Sequence, residues 1–258
     1  MVNNRTKGGD PGARYARQLP LIGTEGQECL QAATVLVAGA GGLGSPVLLY
    51  LAAAGVGRLI IADCDAVEET NLNRQVLHWE QDIGRRKVRS SEEKLRAFNP
   101  AVEIITVDEQ ITEANAASIA ADALIIVDCL DNFAARFALN DAALRKDIPF
   151  VHGAVRGFHG QVTTMVPGRT ACMRCLYASA PPPAPVPVLG TTAGVVGMIQ
   201  ANEVIKYLAG TGGLLCDRLL IWDGARSLAE EVLIARDPRC VCSMPETVDN
   251  REHEENEA

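Results

Sequence analysis

Val35-Leu-Val-Ala-Gly39-Ala-Gly41-Gly42-Leu-Gly44-Ser-Pro46 is the stretch that decides how this chain folds. The apolar run Val35 to Ala38, short and bounded by a turn signal, predicts a buried parallel strand. Gly39, Gly41 and Gly44 follow in the spacing G-x-G-x-x-G. Pro46 falls where a helix would begin, a place that suits proline because the N–H it lacks would have no partner there. Val47 to Ala54 is good helix material. Strand, glycine turn and helix N-terminus together make an anion site, with amides pointing outward and a dipole that favours negative charge. A second apolar run, Leu59 to Ala62, ends at Asp63, where a nucleotide-binding unit places a carboxylate for the ribose hydroxyls. Alone, the glycine pattern is no more than a tight turn. With strand, helix and Asp63 around it, the pattern points to a bound nucleotide.

Working outward, helix material from Gly26 to Ala33 precedes this unit. After it come a loop with one helical turn (Asp65 to Gln75), a basic amphipathic helix (Gly84 to Phe98) and a strand (Val102 to Val107). A helix (Ala114 to Ala121), a strand (Leu124 to Asp128) and a helix (Phe133 to Arg145) follow. Strands at Pro149–His152 and Gln161–Val166, a helix from Gly194 to Leu208, and strands at Arg218–Trp222 and Glu231–Ile234 complete the pattern. Alternating strands and helices imply an α/β fold, a Rossmann-like doubly wound, mostly parallel sheet. The closely spaced later strands predict a C-terminal antiparallel extension. Residues 1 to 12 and the acidic tail from 246 read as disordered. The proline-rich stretch Ala180 to Pro187 reads as a mobile crossing segment, spanning about 177 to 191. A proline-rich ligand for another domain is the lesser reading of it.

Bulk numbers exclude several classes. A net charge of −8 argues against a nucleic-acid surface. No apolar run has the length of a membrane span and no signal-peptide core opens the chain, so the expected compartment is the cytoplasm. Eight cysteines in such a chain imply metal or buried thiols rather than disulfides.

Several later groups suit a nucleotide's phosphates. Arg74, in Asn71-Leu-Asn-Arg74-Gln75, and Lys87 are cations in the segment that follows Asp63; with Arg85, Arg86 and Arg89 beside them, the alternative is a solvated basic face. Asp131, in Asp128-Cys-Leu-Asp131-Asn132, lies just past a buried strand, at the edge that faces the ligand crevice. A carboxylate among phosphates is repelled unless it holds a metal, which makes Asp131 a Mg²⁺ candidate. It could instead cap the next helix, but Asn132 can cap equally well and free it. His78, His152 and His159 have no partners visible in the sequence.

These motifs, with Arg14-Tyr-Ala-Arg17-Gln18 before them and Tyr50-Leu-Ala-Ala-Ala-Gly-Val-Gly57 among them, occur in an order that resembles the MoeB/ThiF/HesA family, bacterial relatives of ubiquitin-activating enzymes. The similarity runs from about residue 12 to 244. It implies one nucleotide-binding adenylyltransferase domain over 13–245. Such an enzyme uses ATP and Mg²⁺ to adenylate the C-terminal Gly-Gly carboxylate of a small ubiquitin-like sulfur-carrier protein. The resemblance assigns nucleotide contacts to Gly39, Gly41, Gly42, Gly44, Asp63, Asn71, Arg74, Gln75 and Lys87, and the metal to Asp131. It sends Arg17 into the partner's site of a homodimer. Cys172-x-x-Cys175 and Cys240-Val-Cys242 resemble the family's structural Zn²⁺ site, although the second pair is C-x-C where the family has C-x-x-C. Some relatives carry a capturing cysteine on the crossing segment; residues 176 to 193 contain none. Cys29, Cys64, Cys129 and Cys216 are expected as buried thiols.

The chemistry agrees with the residues. An ionised carboxylate needs no general base to attack a phosphate, so catalysis is positioning and charge neutralisation. Three rivals remain at this point: adenylation of a peptide or a tRNA base, a nicotinamide-dependent oxidoreductase, and a non-catalytic ATP sensor or docking scaffold.

Overall fold

The computed structural model describes residues 11–177, 179–180 and 187–243; the expectations for residues 1–10, for the proline-rich stretch 181–186 and for the tail from 244 lie outside them. Pro11 and Gly12, expected in a disordered leader, instead open a short helix, α1 (Pro11–Tyr15). The next helix, α2 (Leu19–Ala32), starts earlier than its composition indicates and is broken at Gly23, where φ is +73°.

The nucleotide-type unit is built as its residues predict. Strand β1 (Thr34–Ala38), helix α3 (Gly44–Ala54) and strand β2 (Arg58–Ala62) follow in turn. Gly55, left-handed at φ +84°, ends α3, as a helix C-terminus favours. Helix α4 (Lys87–Phe98) begins later than expected because Gly84, at φ +86°, belongs to the preceding turn. Then come β3 (Glu103–Val107), the single turn α5 (Ala116–Ile119), β4 (Ile125–Asp128) and α6 (Phe133–Lys146). Strands β5 (Phe150–Arg156) and β6 (His159–Met165) are both longer at their shared end than the hydrophobic runs suggest. The chain closes with α7 (Met173–Leu176), α8 (Gly190–Ala209), β7 (Arg218–Asp223) and β8 (Leu228–Leu233).

The eight strands form one sheet in the order β3-β2-β1-β4-β5-β6-β7-β8. From β3 to β5 all neighbours are parallel, and from β5 to β8 all are antiparallel. The order reverses between β1 and β4, which opens a crevice at their carboxyl ends. Period-two alternation divides the core between two faces. Val35 and Val37 of β1 pack with α3, α4 and α8, whereas Leu36 and Ala38 pack with α5 and α6.

The N-terminal segment is tied to this body by side chains. Tyr15 is buried and its hydroxyl accepts from Asn99 Nδ2 at 3.1 Å; the same amide donates to Ala52 O at 2.7 Å. Gln18 Nε2 donates to Ala54 O at 2.8 Å. Between these anchors Arg17 is exposed. Replacing Asn99 with alanine leaves a buried carbonyl and a buried hydroxyl short of a partner. Asn99→Ala is therefore expected to lower unfolding stability by about 1–3 kcal/mol, read from the urea midpoint at unchanged slope.

Candidate active site

A cavity of about 820 Å³ lies over the carboxyl ends of β2, β1, β4 and β5. Its floor is the glycine turn. Gly39 has φ +98°, and a Cβ there would sit 2.6 Å from Cys129 O; at Gly44 a Cβ would sit 1.9 Å from Gly39 O. Those two glycines are demanded by the turn itself, and Gly41 and Gly42 by the cavity, which they line with bare backbone. Ala40, between them, is held on both sides. Its N–H donates to Asp63 Oδ2 at 2.8 Å, and its carbonyl accepts from His78 Nε2 at 2.9 Å. The carbonyl can only accept, so the His78 proton is on Nε2 and Nδ1 accepts from Ser90 Oγ at 2.9 Å. Burial pushes the imidazole pKa down, which keeps the ring neutral.

Asp63 reaches the cavity with its second oxygen accepting from Asp65 N at 2.8 Å. Burial pushes its carboxyl pKa up, while Lys87 and two backbone amides pull it down. A carboxylate has lone pairs beyond those two bonds for a diol. Lys87 is buried, lines the cavity and pairs with Asp65 Oδ2 at 2.8 Å. Its neighbours are spent on the surface: Arg85 on Asp82 and Glu93, Arg86 on Asp108, Arg89 on Glu92. The basic-face reading holds for those three and fails for Lys87. Arg74 also lines the cavity, with Nη1 donating to Thr70 O at 2.8 Å and Asn73 Oδ1 at 3.1 Å. Gln75 is buried at the same wall, and its Oε1 is a buried acceptor with no donor among the described residues, an orphan that a bound molecule can satisfy.

Asn132 caps α6, its side chain accepting from Ala135 N at 2.9 Å. Asp131 is thereby left exposed at the cavity, with no side-chain partner among the described residues. Asn71 is not brought to the cavity; its Oδ1 accepts from Glu68 N at 3.1 Å and closes the turn that carries Arg74. Arg17 is absent from the lining of this chain's cavity.

Two lining cations, Arg136 and Arg156, and a buried ring behind the wall, His152, have roles that the sequence reading did not give them. Arg136, on α6, is buried and donates to Leu130 O and Gly153 O, with Nε 3.4 Å from Asp128 Oδ2. Arg156, at the end of β5, is exposed in the cavity and has no ion-pair partner among the described residues. His152 is fully buried against Asp128. Arg136 lies one helical turn past Asn132, a spacing that could have flagged it.

A second cluster stands apart. The sulfurs of Cys172, Cys175, Cys240 and Cys242 lie within 4.8 Å of one another. Measured pairs are 4.0 Å for Cys172–Cys175, 3.6 Å for Cys172–Cys240 and 3.4 Å for Cys175–Cys242. Tetrahedral ligands at about 2.3 Å from a zinc-sized ion stand ~3.8 Å apart, so the C-x-C spacing closes the set as well as C-x-x-C. Asp237 N–H points at Cys175 Sγ, 3.4 Å away. Burial raises the thiol pKa of Cys172 and Cys240, a cost that a bound cation reverses. Of the other thiols only Cys129 is buried; Cys29 is exposed on the outer side of α2, and Cys64 and Cys216 are half-buried at element ends.

The sheet, the crevice and the cavity define a nucleotide-binding α/β protein. The ThiF family pattern matches residues 15–243, and the chain belongs to that family. It is 42% identical over 238 residues to the SAMP-activating enzyme E1 of Haloferax volcanii, covering 89% of this chain and 88% of that one. It is 42% identical over 243 residues to the sulfur carrier protein adenylyltransferase of Thermus thermophilus, covering 89% and 90%. The E. coli MccB structure with ATP superposes with a TM-score of 0.81 at 23% identity, over 89% of this chain and 74% of that one, a likeness of fold.

The cysteine geometry makes one test direct. Purified protein is expected to carry about one tetrahedral metal ion per chain, and Cys172→Ser with Cys175→Ser to lose it together with several degrees of melting temperature. Elemental analysis and calorimetry read both, and metal-free wild-type protein of unchanged stability would refute the site.

Proposed function

We propose that this chain is an ATP-dependent adenylyltransferase whose substrate is the C-terminal Gly-Gly carboxylate of a small ubiquitin-like sulfur-carrier protein. One observation carries the reading: a single cavity gathers the bare glycine floor, Asp63, Arg74, Lys87 and Asp131. Its likeness to the Haloferax SAMP-activating enzyme and the Thermus sulfur carrier protein adenylyltransferase supports it. ATP fits the residues present, since Gln75 Oε1 is orphaned and the floor has no side chains.

Asp63 receives the ribose hydroxyls, and the amides of the turn face the phosphates. Arg74 and Lys87 neutralise charge on them, and Asp131 would hold a Mg²⁺ ion, whose charge would screen the phosphate oxygens. A carrier carboxylate oxygen forms a bond to the α-phosphorus, the α–β anhydride bond breaks, and pyrophosphate leaves with its charge compensated by those cations. Arg156 adds an unspent cation on the side of the second reactant. In a homodimer Arg17 reaches the partner's cavity. The four cysteines would hold structural Zn²⁺ as thiolates, which would keep the C-terminal strands docked. Thiolate ligands and ATP suit a reducing compartment, the cytoplasm. A nicotinamide reading finds no use for Asp131 in the same cavity as Lys87.

Pyrophosphate–ATP exchange against purified carriers ending in Gly-Gly tests the reading; no exchange with any carrier while a peptide or a tRNA supports it would move the substrate. Lys87→Ala and Arg74→Ala are each expected to slow exchange about 10²–10³-fold, the scale for removing one transition-state charge partner. Near-normal rates in both would return them to the surface.

Arg17→Ala and Asp131→Ala dimers, inactive alone, are expected to recover roughly a quarter of wild-type exchange when mixed with subunit exchange. About half the dimers then hold both chains, each with one intact site. No recovery would place Arg17 outside the partner's site.

A further inference from the structure

The far wall of the cavity contains a chain of hydrogen bonds that the nucleotide does not need. Asp128 and His152 are both fully buried, and Asp128 Oδ2 stands 2.7 Å from His152 Nδ1. Burial holds the imidazole pKa down against the pull of Asp128, so the ring is neutral. A carboxylate accepts only, so the one ring proton is on Nδ1 and Nε2 is a bare acceptor. Gln161 Nε2 lies 3.2 Å from that nitrogen and also donates to the Tyr177 hydroxyl oxygen. Both hydrogens of the Gln161 amide are thereby committed. The orientation of an amide is ordinarily an inference from its surroundings, and here the histidine tautomer dictates it. Gln161 Oε1 is left with no partner among the described residues, on a side chain that lines the cavity.

Position gives that oxygen a use. Gln161 sits on β6, between Ala154 of β5 and Ile221 of β7. Four strand steps separate β6 from β2, which leads to Asp63, roughly 19 Å at the usual interstrand spacing. Asp131 and Arg136 line the cavity from the β4–α6 junction between them. The ribose end and Gln161 are therefore at opposite ends, with the phosphate groups between. Ala154, Val155 and Ile221 line the Gln161 end with apolar surface. A glycine tail offers no side chain to recognise, so only its peptide groups can be read. Arg156 also lines this end, but a guanidinium only donates; the fixed acceptor there, Gln161 Oε1, reads a peptide N–H.

We propose that Gln161 is a specificity-determining residue whose carbonyl oxygen accepts the N–H of the last peptide group of the carrier's tail, and that His152 is the positioning residue that holds the amide in this sense. The inference rests on the carrier C-terminus being the substrate. It places recognition of the tail on β6, away from the cations that act on ATP.

The experiment uses the full chain, a non-hydrolysable ATP analogue and a fluorescent ten-residue peptide ending in Gly-Gly, with a counterpart in which an ester replaces the last amide. Binding is read by anisotropy. Wild type is expected to prefer the amide roughly three- to tenfold, the worth of one neutral hydrogen bond. Gln161→Leu should bind both peptides alike while its affinity for the ATP analogue is unchanged. His152→Leu, checked for a native circular dichroism spectrum, should lose most of the preference because the amide can then turn over. In ¹⁵N-histidine spectra of the wild type, the His152 ring, identified by the signals lost in His152→Leu, should carry its proton on Nδ1.

Equal wild-type binding of amide and ester, or a preference retained by Gln161→Leu, overturns the role of Gln161 and leaves the adenylation reading intact. A proton on Nε2 overturns the role of His152. Failure of wild type to bind either peptide, while it binds the ATP analogue, removes the tail as ligand and with it both readings.

Discussion

The clamp on Ala40 is the constraint from which the site follows. One peptide unit of the glycine turn gives its N–H to Asp63 and its carbonyl to His78. Behind His78 stands Ser90, which also accepts from Lys94, and Lys94 is paired with the buried Asp82. A turn rich in glycine loses more conformational freedom on ordering than any other sequence. Its fixed shape therefore depends on partners outside it. They come from the end of β2, from the loop that carries Arg74 and from α4, so the parts that would hold sugar and phosphate are assembled by the same bonds that hold the turn. A neutral histidine suits this position: a charged ring would place a cation next to Lys87 and Lys94, both of which already push its pKa down.

The sheet imposes a second order on the cavity. Up to β5 the strands are parallel and deliver their loops to one edge, the usual place for a ligand in an open α/β sheet. From β5 onward neighbouring strands are antiparallel, and the start of β6 and end of β7 reach the same edge. Side chains from strands of opposite direction thus share one wall. The parallel half supplies charge and bare backbone, whereas the antiparallel half supplies Gln161, Ile221 and the adjoining Tyr177. Two reactants of different chemistry can lie in one crevice because the sheet changes character beneath it.

Much of this was legible in the sequence, for local reasons. The glycine turn, its flanking strands and Asp63 are set by hydrophobic runs and spacing, and the freeing of Asp131 by Asn132 follows from capping preference. The four cysteines close despite the shortened second pair. What failed to show depends on chain segments far apart. Asn71 looks like its motif neighbours but turns inward to cap. Lys87 differs from Arg85 and Arg86 only in where α4 starts, and Gly84 moves that start. His152 finds Asp128 across the β4–β5 pairing, a register that no run of residues announces. The docking of α1 answers to Tyr15 and Asn99, 84 residues apart.

The cysteine cluster has a topological consequence. It joins positions 67 residues apart along the chain, with α8, β7 and β8 inside the loop so formed. A metal held by all four thiolates cross-links the unfolded chain as well as the folded one. By loop-closure arithmetic a permanent link of that span is worth about 4 kcal/mol against unfolding. The strands it encloses are the last two at one edge of the sheet, and β8 is exposed along its whole length. With a metal bound there, the part of the sheet with the least burial would be secured by a staple that, unlike a disulfide, forms from reduced thiols and needs no oxidant.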